Sequence, residues 1–194
     1  MDILQPNIRF EISAASRVLP ESGPITNLNI LQNFPRTSDK SQAFLEKFAE
    51  KIGEEFGFHQ RYWCHKPWES LDKSRELTAE SLAISSVKKL FERVKPETIQ
   101  TYLLGSTTNK RFTGSQAAAV LGEFGLNAPA YDLKTGCSTS LSTLHLAYAL
   151  MALGYKNVLL SCAETLSKVI DPENEKTWIG LADGAASLFL ERSD

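Results

Sequence analysis

The chain has 194 residues, 42% of them hydrophobic and 23% charged, the balance of a chain that buries a core rather than one that stays disordered. Twenty-one basic residues against 23 acidic ones leave a net charge of −2. No cationic excess exists to neutralise phosphates, so a nucleic-acid partner is not expected. One globular domain, or two small ones at most, is the expected organisation. No segment approaches the ~20 apolar residues that cross a bilayer, so no membrane partner is expected. Residues 1–10 lack the basic start and apolar run of a secretory signal. Cys64, Cys137 and Cys162 are odd in number and include no CxxC pair, which argues against a disulfide framework and against zinc. The cytoplasm is the expected location, and neither a metal nor a cofactor is expected.

In chain order, residues 1–37 read as an irregular lead-in, with one alternating stretch at Ile8–Ile12 that suggests a strand. A first helix is expected after Asp39, which serves as N-cap with Gln42 as its capping-box partner. Phe44, Leu45, Phe48 and Ile52 share one face of it, and Gly57 ends it. His59, Tyr62, Trp63, Cys64, His65 and Trp68 then crowd together. That crowd reads either as a ligand site or as a loop anchored by aromatic packing, and the lack of a second ligand pair favours packing. A second helix runs from Thr78 to about Val94 and stops at Lys95-Pro96.

Beyond this the pattern becomes regular. Residues 101–104 form a buried strand, 115–124 a helix, 130–133 a strand, 137–153 a long helix, 157–162 a strand and 185–190 another. Strand and helix alternate, which predicts an α/β fold with a mostly parallel sheet. Helix 137–153 carries Leu141, Leu144, Leu146, Ala147, Tyr148, Leu150 and Met151 on almost every side. Such a helix belongs in the interior of a layered protein.

The chemistry is expected at Asp132–Ser138. There the strand ends, Gly136 permits a tight turn, and Cys137 opens the apolar helix. Free N–H groups and the positive end of the helix dipole favour a thiolate at such a place, and the thiolate is the nucleophilic form. The same N–H groups can steady an oxyanion. The alternative is that Cys137 is merely a small buried residue. Cys162 reads as structural and Cys64 as incidental. A cysteine hydrolase needs a placed base. His145 stands eight residues after Cys137, ~12 Å along the helix axis and turned away by about 80°. His59 and His65 lie far upstream in the aromatic loop.

Several stretches together resemble the 3-oxoacyl-[acyl carrier protein] synthase III branch of the thiolase superfamily. They are YDLKTGCSTSL from Tyr131 to Leu141, GYKNVLLSCAETL from Gly154 to Leu166, Asp171-Pro172, and ADGAASLFLE from Ala182 to Glu191. Upstream, FGFHQR at Phe56–Arg61, Ser106-Thr107-Thr108, Phe112 and QAAAVLG at Gln116–Gly122 fit as well. The resemblance implies one half of a duplicated, layered thiolase-like fold, with residues 1–194 as the N-terminal half and 99–194 as its nucleophile-bearing βαβαβ core. It also implies that Cys137 takes an acyl group from a thioester. The acyl-enzyme then meets malonyl on acyl carrier protein, and decarboxylation gives a carbanion that attacks the acyl carbonyl. The product serves fatty-acid or polyketide-type synthesis.

Three departures qualify this reading. The family's assisting histidine and asparagine lie in the second half, so a second thiolase half or a homodimer mate is the expected partner. Lys51 and Glu55 stand where a Trp and an Arg often clamp the adenine of coenzyme A, and Glu175 replaces a basic residue. An acyl carrier protein is therefore expected to be favoured over coenzyme A as acyl donor. The competing reading is a non-catalytic thiolase-fold subunit that contributes interface rather than chemistry.

Overall fold

The computed structural model describes residues 8–70, 77–111, 113–171, 173–174 and 177–193. The chain divides into two units, one of Met1–Val18, Ala79–Glu164 and Ala185–Asp194, the other of Leu19–Thr78 and Thr165–Gly184.

The first unit is a five-stranded sheet with helices. Its strands are β1 (Arg9–Val18), β4 (Thr101–Gly105), β5 (Ala130–Leu133), β6 (Asn157–Thr165) and β7 (Asp183–Ser193), in the order β1-β7-β6-β4-β5. Strand β4 pairs in parallel with both β5 and β6, while β1 pairs antiparallel with β7. All five residues of β4 are buried, as a central strand covered on both faces requires. Helices α3 (Ala79–Leu90), α4 (Gln116–Glu123) and α5 (Thr139–Ala152) complete the unit. Leu103, Val158, Leu160 and Leu190 of the sheet form one core with Ala147 and Met151 of α5. Tyr102 and Leu104 alternate with Leu103 and face the other way, as the period of a strand demands; both are buried. The predicted α/β class and mostly parallel sheet are therefore observed.

The second unit is built on α1 (Asn27–Asn33), α2 (Gln42–Phe56) and a two-stranded ribbon of β2 (Pro24–Thr26) and β3 (Gln60–Tyr62). Its core holds Ile25, Ile30, Leu31, Phe34, Leu45, Ile52, Trp63, Ile170 and Trp178. Trp63 is buried, and its indole N–H donates to the Leu181 carbonyl at 2.9 Å. The aromatic crowd thus anchors a loop by packing.

Three expectations require correction. The stretch read as an irregular lead-in contains a ten-residue strand, a short strand and a helix. Strand β1 was disguised by its serines: Ser13 donates to the Phe189 carbonyl at 3.3 Å, and Ser16 to the Ser86 carbonyl at 2.7 Å. Helix α1 is only seven residues long and is capped by Thr26, whose hydroxyl accepts from Asn29 N–H. The N-cap of α2 is Ser41, not Asp39; its hydroxyl accepts from Phe44 N–H at 3.3 Å. The backbone before Ser41 is still turning, with Lys40 N–H donating to the Thr37 carbonyl at 3.0 Å. Gly57 ends α2 as expected, at φ +72°. Finally, helix α5 begins at Thr139, preceded by a 3-10 turn at Gly136–Ser138.

Helix α5 buries one stripe, Thr139, Thr143, Ala147 and Met151, at the four-residue spacing of a single face. Leu141 is 71% and Leu153 80% exposed. The expected all-round burial is thus met on one face only among the described residues.

Gly105 sets how closely α5 approaches the sheet. A β-carbon placed there would lie 2.5 Å from Thr143 Oγ1 and 2.8 Å from Thr139 Cγ2, with Cys162 Sγ at 3.3 Å. The two threonines belong to the rigid buried stripe, so they cannot swing aside. Gly105→Ala is therefore expected to lower stability by about 1–3 kcal/mol through overpacking, read as a shift of the urea midpoint at unchanged slope.

Candidate active site

Cys137 is exposed and lies in the 3-10 turn between β5 and α5. Gly136 adopts φ +66°. Open space surrounds its β-carbon position, so glycine is required there by backbone angle and not by crowding. The turn is held by hydroxyls. Thr135 N–H donates to Thr139 Oγ1 at 2.9 Å, and Thr139 Oγ1 donates to the Gly136 carbonyl at 2.7 Å. Ser138 Oγ donates to the Thr135 carbonyl at 2.9 Å, and Thr135 Oγ1 to Ser142 Oγ at 2.9 Å. No side chain caps the first N–H groups of either the 3-10 turn or α5. Donors at a helix start thus remain beside the thiol.

Three sets of loops are fixed by carboxylates. Asp132, on β5, accepts from the N–H groups of Gln116 at 3.0 Å and Ala117 at 2.8 Å, where its charge complements the start of α4. Glu164, near the end of β6, accepts from the N–H and hydroxyl of Thr107 at 2.7 and 2.9 Å and from those of Thr108 at 3.1 and 2.7 Å. In the second unit, buried Asp183 accepts from Cys64 N–H at 2.6 Å, from Ser167 N–H at 2.8 Å and from the Ser167 hydroxyl. Sequence reasoning gave these three carboxylates no role. Their one signal was an acidic residue in or beside an apolar strand.

The other cysteines differ from Cys137. Burial pushes the Cys64 thiol up to about 12, and Asp183 adds to the rise. Cys162, half-buried against Gly105 and Thr143, is raised chiefly by desolvation. Both favour the neutral, unreactive thiol. His145 is exposed on α5, while His59 and His65 belong to the second unit. Lys51 and Glu55 form an exposed ion pair at 3.5 Å along α2. Phe112, Pro172 and Glu175 lie outside the described residues. No helix among those described is long and apolar enough to cross a membrane, and among them no group of three or more His, Cys, Asp or Glu residues is placed to hold a metal ion.

A parallel β5-β4-β6 core with a cysteine turn feeding an apolar helix makes this an α/β protein with an exposed thiol at a strand-to-helix turn. Residues 131–194 match the family profile of 3-oxoacyl-[acyl-carrier-protein (ACP)] synthase III. A beta-ketoacyl-[acyl-carrier-protein] synthase III of Clostridium perfringens is 30% identical over 176 residues, covering 89% of this chain and 50% of the relative. One from Fusobacterium nucleatum is 27% identical over 164 residues, covering 84% and 46% respectively. The crystal structure of the Thermus thermophilus beta-ketoacyl-[acyl carrier protein] synthase III superposes with a TM-score of 0.74 at 27% identity, covering 93% of this chain and 50% of that one. The chain has the fold of this synthase III structure and is similar to these enzymes over most of its own length. It spans about half the length of the curated relatives it matches.

Proposed function

We propose that this chain is the nucleophile-bearing N-terminal half of a decarboxylating condensing enzyme, and that Cys137 accepts the acyl group. One observation carries the reading: an exposed cysteine in a glycine-permitted turn, next to uncapped helix-start N–H groups, inside the block that matches the synthase III profile. The Cys137 sulfur attacks the carbonyl carbon of an acyl thioester. A new carbon–sulfur bond forms, and the carrier's thiolate leaves with the electron pair of the bond that breaks. Attacking and leaving groups are both thiolates, so the exchange is nearly balanced. The free N–H groups stabilise the oxyanion between the two steps. Chain elongation in fatty-acid or polyketide-type synthesis is the use that fits this step.

An acyl carrier protein is the favoured donor. The ion pair of Lys51 with Glu55 leaves no uncompensated cation at that place for a nucleotide phosphate. The second reading, a non-catalytic thiolase-fold subunit, is favoured by the place of His145 on α5, eight residues beyond the Cys137 turn.

Timed iodoacetamide labelling with peptide mass spectrometry separates the two. A catalytic thiol labels at Cys137 first and faster than free cysteine, with Cys64 and Cys162 protected until unfolding. Labelling of Cys137 no faster than free cysteine would favour the subunit.

A further inference from the structure

The turn that carries Cys137 depends on a glycine, and a glycine is the residue least able to hold a peptide plane in one orientation. Gly136 sits at φ +66° with open space around its β-carbon position, so packing does not hold it. Rotation of the Gly136–Cys137 peptide would exchange the Cys137 N–H for the Gly136 carbonyl oxygen beside the thiol. The two act in opposite senses. An N–H favours a thiolate, and a carbonyl oxygen opposes one.

One buried side chain fixes that plane. Thr139 is 5% exposed. Its Oγ1 accepts from Thr135 N–H at 2.9 Å and donates to the Gly136 carbonyl at 2.7 Å. Its own N–H donates to the same carbonyl. A carbonyl oxygen has two lone pairs, and Thr139 engages both. Residues 135–139 are thereby closed into a ring that contains Cys137.

The hydroxyl is aimed by packing from the sheet. Thr139 Cγ2 faces Gly105 of β4 so closely that a β-carbon there would lie 2.8 Å away. A β-branched side chain in a helix has few χ1 choices. With the methyl seated on β4, the hydroxyl turns to the Gly136 carbonyl. Thr143 packs on the same glycine, but its hydroxyl donates to the Thr139 carbonyl at 2.7 Å, within the helix.

We propose that Thr139 is a positioning residue for Cys137. Its hydroxyl locks the Gly136–Cys137 peptide so that the Cys137 N–H, and not the Gly136 carbonyl, stays beside the sulfur. The inference rests on the reading of Cys137 as the nucleophile.

Second-order rates of Cys137 alkylation by iodoacetamide are measured by peptide mass spectrometry on the folded 194-residue chain. Thr139→Val keeps the shape, removes the hydroxyl and should slow labelling about fivefold or more. Thr139→Ser restores the hydroxyl and should return the rate to within about twofold of the parent. Thr143→Val removes a hydroxyl bond from the same buried stripe without touching the turn, and should also stay within about twofold. That contrast separates positioning from a general loosening of α5. Urea midpoints establish that each variant is folded under the labelling conditions. Hydrogen exchange on the parent chain needs no variant. Thr135 is an exposed residue, yet its amide should exchange about tenfold or more slower than an unstructured one. The readout is alkylation and not acyl transfer, so the two readings fail separately. Slow labelling of the parent counts against the nucleophile. Equal rates in the parent and Thr139→Val, equal slowing in Thr139→Val and Thr143→Val, or an unprotected Thr135 amide would overturn the positioning role.

Discussion

Purified residues 1–194 are expected to form no carbon–carbon bond when given acyl and malonyl thioesters on acyl carrier protein, and to gain that activity only with a second thiolase half. The chain has three histidines. His145 is exposed on α5, eight residues beyond the Cys137 turn and about two helical turns further along the chain, and the resemblance assigns the assisting histidine to the second half. Acid–base assistance is worth roughly 10²–10⁴-fold in rate, so its lack removes measurable condensation. The same experiment has a physical companion. Helix α5 leaves Leu141 and Leu153 exposed, large apolar side chains that a partner half would cover. Sedimentation should therefore show self-association, or capture of the added half. A monodisperse monomer with full condensing activity would contradict both expectations.

The largest expected effect on stability is at Asp183. Its buried carboxylate takes the N–H of Cys64 and both the N–H and hydroxyl of Ser167, and so joins two loops of the second unit. Asp183→Ala leaves three donors without an acceptor. An unsatisfied buried group costs about 1–3 kcal/mol, so a loss of about 3–5 kcal/mol is expected, a large part of a domain's ordinary margin. Asp183→Asn should fall between, because its amide keeps one acceptor and points a donor at another donor. Tryptophan fluorescence reports the result cleanly. All three tryptophans of the chain, Trp63, Trp68 and Trp178, lie in the second unit. A urea midpoint shifted by less than the equivalent of about 1 kcal/mol would show that these loops are held by something else.

What the sequence disclosed follows a physical pattern. The parallel core was legible because its strands are short apolar runs and helices α4 and α5 are each followed by a glycine, Gly125 at φ +66° and Gly154 at φ +112°. The turn at Cys137 was legible for the same reason, since a glycine between a strand and a helix has few other uses. Strand β1 was largely hidden because pairing and hydroxyl bonding, rather than apolar side chains, hold Ser13 and Ser16 in place. The start of α2 was displaced by two residues because Asp39 and Ser41 are both competent caps, and only the preceding turn decides between them. The carboxylates of Asp132, Glu164 and Asp183 could not be assigned from composition. Each acts on backbone N–H groups brought near by the fold, and a backbone donor leaves no mark in the sequence. The apolar character of α5 was read correctly, but which face is covered depends on what packs beside it.

The central claim is that Cys137 carries the acyl group. It is tested most directly by incubating the chain, supplemented with a complete second thiolase half, with an acyl thioester on acyl carrier protein, and locating the adduct by peptide mass spectrometry under conditions that spare thioesters. The account predicts an acyl group on Cys137 in the parent chain and in Cys162→Ala, and none in Cys137→Ala. Acylation that survives Cys137→Ala and disappears in Cys162→Ala would contradict it.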